Sequence, residues 1–323
     1  MARGFFALFI CALGAAVGPA EADGQDPQAF DGERAFQHLR AQCAFGPRVP
    51  GTRAHDQAGE YLAERFRELG LATTIQSFTA RPALLGGRPA LLRNIIARLE
   101  APGRPSVIVT AHWDSRPTAD MDPNPANARL PIEGANDGAS GAAVVLELAR
   151  VFQEKPTTHG LVFALCDGED LGSLKAPKDW CLGSKHLAER LEPAWGVRLA
   201  INVDMVGDRH LAFTRELYGQ RACPQFSDFC WSVGQEIAPE AFGGGSSRPV
   251  FDDHASFLRV GIPSFDLIDF DYEGWHTQGD VIERCSARSL QTAGRVVEAI
   301  LRRLETENWA FCVGPLPADM NRY

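Results

Sequence analysis

Six acidic or histidine side chains each follow, or lie in a loop beside, a short apolar segment of the chain. Two imidazoles and four carboxylates gathered in one place would leave like charges unpaired unless a cation lay between them. Nitrogen and oxygen ligands suit zinc in a hydrolytic or acyl-transfer site, where three protein ligands leave a position open for water or substrate. The sequence therefore predicts a zinc centre. The residues are His112, Asp137, Glu169, Asp170, Asp204 and His276.

Alternating apolar segments of two kinds must position these side chains. Short runs predict strands over 94–99, 106–111, 161–165, 199–203 and 262–268, and longer amphipathic or apolar stretches predict helices over 35–43, 56–69, 142–152, 226–237 and 286–304. This order predicts an α/β fold with a mostly parallel central sheet flanked by helices on both faces. Because ligands of such sheets bind at the carboxyl ends of the strands, the zinc site should lie at that rim.

Glu169 and Asp170 are adjacent, so one of them can bind metal while the other faces substrate as a base. Taken alone, each candidate also has an ordinary structural role. His112 could be a core histidine, and Asp137, in a glycine-rich loop, could cap a helix. Their joint occurrence at strand ends is what indicates a metal site.

The first 22 residues have the pattern of a secretory signal. Arg3 precedes an apolar run over 5–17, and Ala20-Glu21-Ala22 offers small residues at a cleavage site. We therefore expect a signal peptide over 1–22 and one domain over 23–323, exported to the periplasm or secreted and without membrane attachment after cleavage. An uncleaved anchor is the alternative for this segment.

Charge and cysteine content limit the partners and the ligands. The net charge of −9, with no basic run, argues against a nucleic-acid partner. The seven cysteines after residue 22 include no C-x-x-C pair, which disfavours a thiolate zinc site. Disulfide pairing and oligomeric state are not indicated by the sequence.

The motifs resemble those of the zinc-aminopeptidase superfamily over roughly residues 43–304. That superfamily has a His-x-Asp pair after a strand, an Asp in a G-x-x-D-x-x-S-G loop, a carboxylate pair, a further Asp and a late His. The corresponding residues here are His112 and Asp114, Asp137, Glu169 and Asp170, Asp204 and His276.

Within the superfamily, three segments resemble bacterial glutaminyl-peptide cyclotransferases. These are HWDSRP over 112–117, DWCLGS over 179–184, and the stretch from Asp252-Asp253-His254 to Trp275-His276-Thr277. Aminopeptidases of the superfamily more often have Ser-Asp-His where this chain has Asp252-Asp253-His254. Two positions depart from the animal cyclases, since Asp170 replaces a Glu ligand and Lys175 stands near the place of a pocket Trp.

The resemblance implies a function and a role for each residue. A cyclase converts the N-terminal glutamine of a peptide to pyroglutamate and releases ammonia. One zinc ion would be held by Asp137, Asp170 and His276, with Glu169 as acid/base. Asp204 and Asp252 would assist the proton transfer, Trp275 and Trp180 would line the substrate pocket, and Asp114 would orient His112 or its neighbours.

A secreted zinc aminopeptidase is the main alternative. It would use nearly the same residues, with His112 and Asp204 holding a second zinc ion, so the number of bound ions separates the two readings. A hydrolase for another acylated amine and a non-catalytic binding protein are further alternatives. The intact Glu169 argues against the last of these.

Overall fold

The structure is a computed structural model that describes Met1 and residues 29–323. The predicted signal peptide beyond Met1 and the first six residues of the predicted domain lie outside the described range. The central sheet has six strands in the order β1-β2-β4-β3-β5-β8. They are β1 Ala72–Ala80, β2 Ala90–Leu99, β3 Ser106–His112, β4 Gly160–Cys166, β5 Val197–Asp204 and β8 Ser264–Ile268. Two short strands, β6 Arg215–Glu216 and β7 Ser247–Arg248, pair separately.

The four strands on one side of the sheet, β4, β3, β5 and β8, run parallel, whereas β1 and β2 are antiparallel to their neighbours. The prediction of a mostly parallel sheet is therefore confirmed. Parallel strands end at the same edge, and this edge is where the candidate residues lie.

Helices cover both faces of the sheet. They are α1 Gly32–Ala44, α2 Arg53–Glu68, α3 Ala139–Glu154, α4 Leu182–Ala188, α5 Leu217–Ala222, α6 Pro224–Ile237, α7 Pro239–Gly243, α8 His254–Arg259 and α9 Ala287–Arg303. Alternate residues of a strand pack on opposite faces. In β3, Val107 and Val109 belong to the larger core beneath α1, α3 and α9, while Ile108 packs in the smaller core with Leu187 of α4 and Phe257 of α8. A strand buried on both faces is apolar throughout, which is why these strands were predictable.

Strand β1 was not predicted from the sequence. It lies at the edge of the sheet, pairs with β2 from Ala72↔Arg98 to Ala80↔Ala90, and most of its side chains are exposed or half-buried. Its polar residues, such as Thr73 and Gln76, give no apolar run. Backbone hydrogen bonds to β2, rather than burial, hold it in the sheet.

Among residues 29–323 the seven cysteines are all free thiols. Cys166 is fully buried in β4, and burial raises the pKa of its thiol well above the ordinary value. None of the helices in the described range has the length and apolar character needed to cross a bilayer.

Gly141, in the first turn of α3, allows the helix to approach the end of β5. A Cβ at this position would lie 2.1 Å from the Val203 carbonyl oxygen. We expect Gly141→Ala to lower the free energy of unfolding by about 1–3 kcal/mol, because overpacking exceeds the gain in helix propensity. Urea denaturation measures this. The control is Gly243→Ala, where no atom lies within 4 Å of the added Cβ; equal losses in both variants would contradict the packing argument.

Candidate metal centre and active site

The predicted site residues converge at the carboxyl edge of the sheet. His112 and Asp204 are the last residues of β3 and β5. Glu169 and Asp170 lie in the loop after β4, and His276 in the loop after β8. The loop before α3 and the loop before α8 lie at the same edge of the sheet. Every predicted ligand and acid/base group is buried, namely His112, Asp137, Glu169, Asp170, Asp204, Asp252 and His276.

Asp137, Asp170 and His276 form a group whose ligand atoms lie within 4.8 Å of one another. His276 Nε2 lies 3.1 Å from Asp170 Oδ1 and 3.5 Å from Asp137 Oδ2. Within the described part of the chain, Asp137 Oδ2 and Asp170 Oδ2 are buried without a hydrogen-bond partner. Buried carboxylate oxygens are costly unless paired or bound to metal. One nitrogen and two carboxylate ligands therefore fit a zinc ion with an open fourth position.

The environment of Asp170 favours the ionised form that a metal ligand needs. Burial by itself would raise its pKa, but His276 and the Arg116 guanidinium hold the pKa below the ordinary value. Arg116 Nη1 donates to Asp170 Oδ1 over 2.8 Å. A carboxylate that remains charged when buried can bind a cation without first losing a proton.

A second group of potential ligands consists of His112, Asp137 and Asp204. His112 Nε2 lies 3.0 Å from Asp137 Oδ1 and 3.2 Å from Asp204 Oδ1. Burial lowers the pKa of His112, but the charge of Asp204 and the hydrogen bonds that the imidazole donates to its carboxylate neighbours raise it well above the ordinary value. In the metal-free protein these contacts favour the protonated imidazole, and a second ion would bind to His112 only as that proton leaves.

Asp114 fixes the geometry of both loops, in line with its predicted supporting role. Its carboxylate accepts the backbone N–H groups of Glu169 over 3.1 Å and of Asp170 over 3.4 Å. It also lies 3.5 Å from His112 Nδ1. One buried side chain therefore orients the carboxylate pair and the imidazole together.

Glu169 lies at the floor of the cavity, close to Asp252. Together with Cys181 they place three potential ligand atoms within 4.8 Å of one another. Burial is the largest cause that raises the pKa of both carboxyl groups well above the ordinary value. A carboxyl group with a raised pKa accepts a proton more readily than an ordinary one, which suits a group that takes up and returns protons.

Aromatic side chains surround a cavity of about 350 Å³ above these groups. Trp275 stacks on the His276 ring with 3.8 Å between centroids, and Trp180 lies parallel to the same ring at 6.0 Å. Both predicted pocket residues therefore line the cavity. Exposed Leu174, rather than its neighbour Lys175, contributes to the rim.

Three supporting residues were not singled out from the sequence. Arg116 donates Nε to Asp120 Oδ1 over 2.6 Å, and that same oxygen lies 3.7 Å from His276 Nδ1. Asp280 accepts the backbone N–H groups of Asn136 and Asp137. Arg116 could have been noticed because it shares a motif with His112. No pattern marks Asp280.

Arg116 should control metal affinity, since it bonds Asp170 directly and reaches His276 through Asp120. We expect Arg116→Lys, which keeps the charge but loses the guanidinium fork, to weaken zinc binding about 10–100-fold. Competition with a chromophoric chelator measures the dissociation constant. The control is Arg104→Lys, because Arg104 Nε donates to the Thr158 carbonyl at the surface. Unchanged zinc affinity in Arg116→Lys would remove Arg116 from this role.

Three non-glycine residues of the described range have a positive φ, and all three lie at this site. They are Cys181 at 56°, Met205 at 47° and His276 at 54°. The left-handed region costs a non-glycine residue roughly 1–2 kcal/mol. Cys181 and His276 are themselves potential metal ligands, and Met205 directly follows Asp204, which is another. Each strained turn therefore positions a potential ligand.

Comparison with known proteins connects this site to a family. Residues 94–301 match peptidase family M28. The glutaminyl cyclase of Bacteroides thetaiotaomicron superposes with a TM-score of 0.81 and 29% identity, covering 87% of this chain and 99% of that one. A leucine aminopeptidase precursor from the same organism gives a TM-score of 0.81 and 30% identity, covering 87% and 98%.

Among curated sequences, the alkaline phosphatase isozyme conversion protein of Escherichia coli is 29% identical over 55% of this chain. The chain spans 53% of the length of that relative. Relatives named as cyclases and as peptidases thus share both the fold and the matched region.

Proposed function

Because the chain belongs to peptidase family M28, we propose that it is a zinc enzyme that cyclises the N-terminal glutamine of peptides to pyroglutamate and releases ammonia. The substrates are peptide or protein N-termini. Zinc would be held by Asp137, Asp170 and His276. We further propose that the protein is exported and acts in the periplasm or outside the cell, on the basis of the N-terminal sequence pattern.

The placement of Asp252 beside Glu169 is the observation that carries the proposal. Both carboxyl groups line the cavity and are buried, and burial is the largest cause that raises the pKa of each well above its ordinary value. Cyclisation moves one proton from the α-amine to the γ-amide nitrogen of the same residue. Two adjacent carboxyl groups suit that transfer, because one can accept while the other holds the leaving nitrogen.

The reaction is intramolecular, so the protein mainly has to hold the glutamine side chain folded back on its own amine. When bound, zinc supplies Lewis-acid polarisation of the γ-carbonyl. Glu169 takes a proton from the attacking α-amine and returns it to the departing amide nitrogen, which leaves as ammonia. Asp252 and Asp204 accept hydrogen bonds from that nitrogen, and Trp275 and Trp180 exclude water from the cavity.

An aminopeptidase is the second candidate, and the group formed by His112, Asp137 and Asp204 favours it. These three side chains offer ligands for a second ion. With two ions bound, the same Glu169 would assist attack of water on the first peptide bond. His112 would then be a ligand rather than a hydrogen-bonding neighbour.

A peptide beginning with glutamine tests both candidates in one assay. We expect ammonia and a product lighter by one ammonia, with one zinc ion per chain. The control peptide begins with leucine and should not react. Release of a free amino acid from either peptide would contradict cyclisation and support the aminopeptidase, particularly if two zinc ions are bound.

A further inference from the structure

Cys181 lies next to the acid/base group and is not needed for the chemistry described above. We propose that Cys181, Glu169 and Asp252 form a separate, inhibitory site for a thiophilic divalent cation such as zinc. This site would fill only when the metal is in excess over the Asp137–Asp170–His276 centre.

The three side chains have the spacing of a metal site. Cys181 Sγ lies 3.3 Å from Glu169 Oε1, and one ligand atom from each of the three lies within 4.8 Å of the others. Zinc–sulfur and zinc–oxygen bonds of ordinary length in a tetrahedron separate their ligand atoms by about 3.6 Å. Because the ligand atoms lie no more than 4.8 Å apart, side-chain shifts of about an ångström or less would complete the coordination.

Asp252 supplies independent evidence for a ligand. Its Oδ2 atom is buried and has no hydrogen-bond partner among residues 29–323, although its Oδ1 accepts the Asp253 N–H over 2.5 Å. The residue is 3% exposed, so bulk water does not satisfy that oxygen. A cation would satisfy it and would also reduce the repulsion between Asp252 and Glu169.

The backbone of Cys181 is held in the strained left-handed region, with φ 56°. A turn of this kind persists only where the surrounding structure determines it. Its N–H donates to the Glu169 carbonyl and its thiol to the Glu169 carboxylate, so the two residues are tied together at two points. The sulfur is thereby fixed beside the acid/base group.

Metal binding here must displace the thiol proton, which leaves to solvent as the metal–sulfur bond forms. The Asp137–Asp170–His276 centre has two buried carboxylate oxygens without a hydrogen-bond partner in the described part of the chain, whereas this site has one, so we expect that centre to fill first. Once bound, the metal occupies the Glu169 carboxylate, which can then no longer accept the proton from substrate. The expected consequence is inhibition at high metal concentration.

The site shares no residue with the group formed by His112, Asp137 and Asp204. The two can therefore be distinguished by ligand type, because only one of them contains sulfur. A thiolate ligand gives Co²⁺ an intense charge-transfer absorption that imidazole and carboxylate ligands do not give.

Titration of the metal-free full-length protein with Co²⁺ is the test of binding. We expect no thiolate band with the first equivalent, a thiolate band with the second, and loss of that band in Cys181→Ser. The control, Cys166→Ala, removes a buried thiol from the neighbouring strand β4 and should keep the band. A second equivalent that binds without a thiolate band, or a band that survives Cys181→Ser, would overturn the proposal.

Inhibition is measured separately and rests on the proposed function. The ratio of activity with excess zinc to activity with one equivalent should be low in the unmodified protein. In Cys181→Ser the zinc concentration for half-inhibition should rise at least about tenfold, since even residues outside the first coordination shell affect affinity that much. If the band appears but no cyclisation is found, the proposed function fails and the metal site stands. If excess zinc inhibits both proteins equally, the inhibitory role is refuted.

Discussion

Replacing Glu169 with glutamine should reduce kcat for cyclisation by about 10²–10⁴-fold while leaving zinc bound. Glutamine has nearly the same shape but cannot take up the amine proton. The backbone of residue 169 would keep its position, because its N–H donates to Asp114 and its carbonyl accepts from Cys181. Zinc content and KM should change little, since the predicted ligands are other residues.

Steady-state kinetics with a glutamine-initiated peptide, together with metal analysis, checks this expectation. Glu60→Gln is the matched control, because Glu60 is an exposed residue of α2 that does not line the cavity. Full activity in Glu169→Gln would exclude Glu169 as the acid/base in both the cyclase and the aminopeptidase mechanism. Loss of zinc along with activity would show instead that Glu169 is a ligand.

Asp137→Asn should remove both metal and activity, because Asp137 belongs to each of the two imidazole-containing groups. An amide oxygen is a much weaker zinc ligand than a carboxylate. We expect zinc affinity to fall by more than the about 10–100-fold that is typical for outer residues, with activity falling alongside. Equilibrium dialysis against zinc and the peptide assay measure the two effects.

The same variant should leave the metal-free protein at least as stable as the unmodified one. Burial, followed by repulsion from Asp170, raises the pKa of Asp137 above its ordinary value. The charged form is therefore unfavourable when no cation is present, and a neutral amide avoids that cost. A large loss of stability in metal-free Asp137→Asn would mean that this carboxylate is structural, and would make the loss of activity uninformative about metal binding.

The sequence was sufficient to predict five of the six strands of the central sheet, and the convergence of the candidate residues at its rim, for one physical reason. Strands such as β3 and β4 are buried on both faces, so they are recognisable as apolar runs, and the first polar residues after them must lie at the rim. His112 and Asp204 are in this position. The convergence of these residues followed from topology alone, without any side-chain detail.

The parts that could not be predicted depend on contacts between distant segments. Asp280 supports the Asp137 loop from 143 residues away in the chain, through two backbone N–H groups. Strand β1 depends on a ladder to β2 and has no apolar run of its own. The hydrogen bond from Cys181 to Glu169 depends on a left-handed turn, for which a cysteine gives no sequence signal.

The left-handed turn at His276 has an evolutionary consequence. Glycine adopts this conformation without the steric penalty that a histidine meets. Under the proposed role of His276 as a zinc ligand, selection for activity would keep histidine there, whereas selection for folding alone would favour glycine or asparagine. Relatives of this chain that no longer need catalysis should therefore lose His276 early and become more stable as they do so. Replacement of the histidine at position 276 would then identify non-catalytic members of the family.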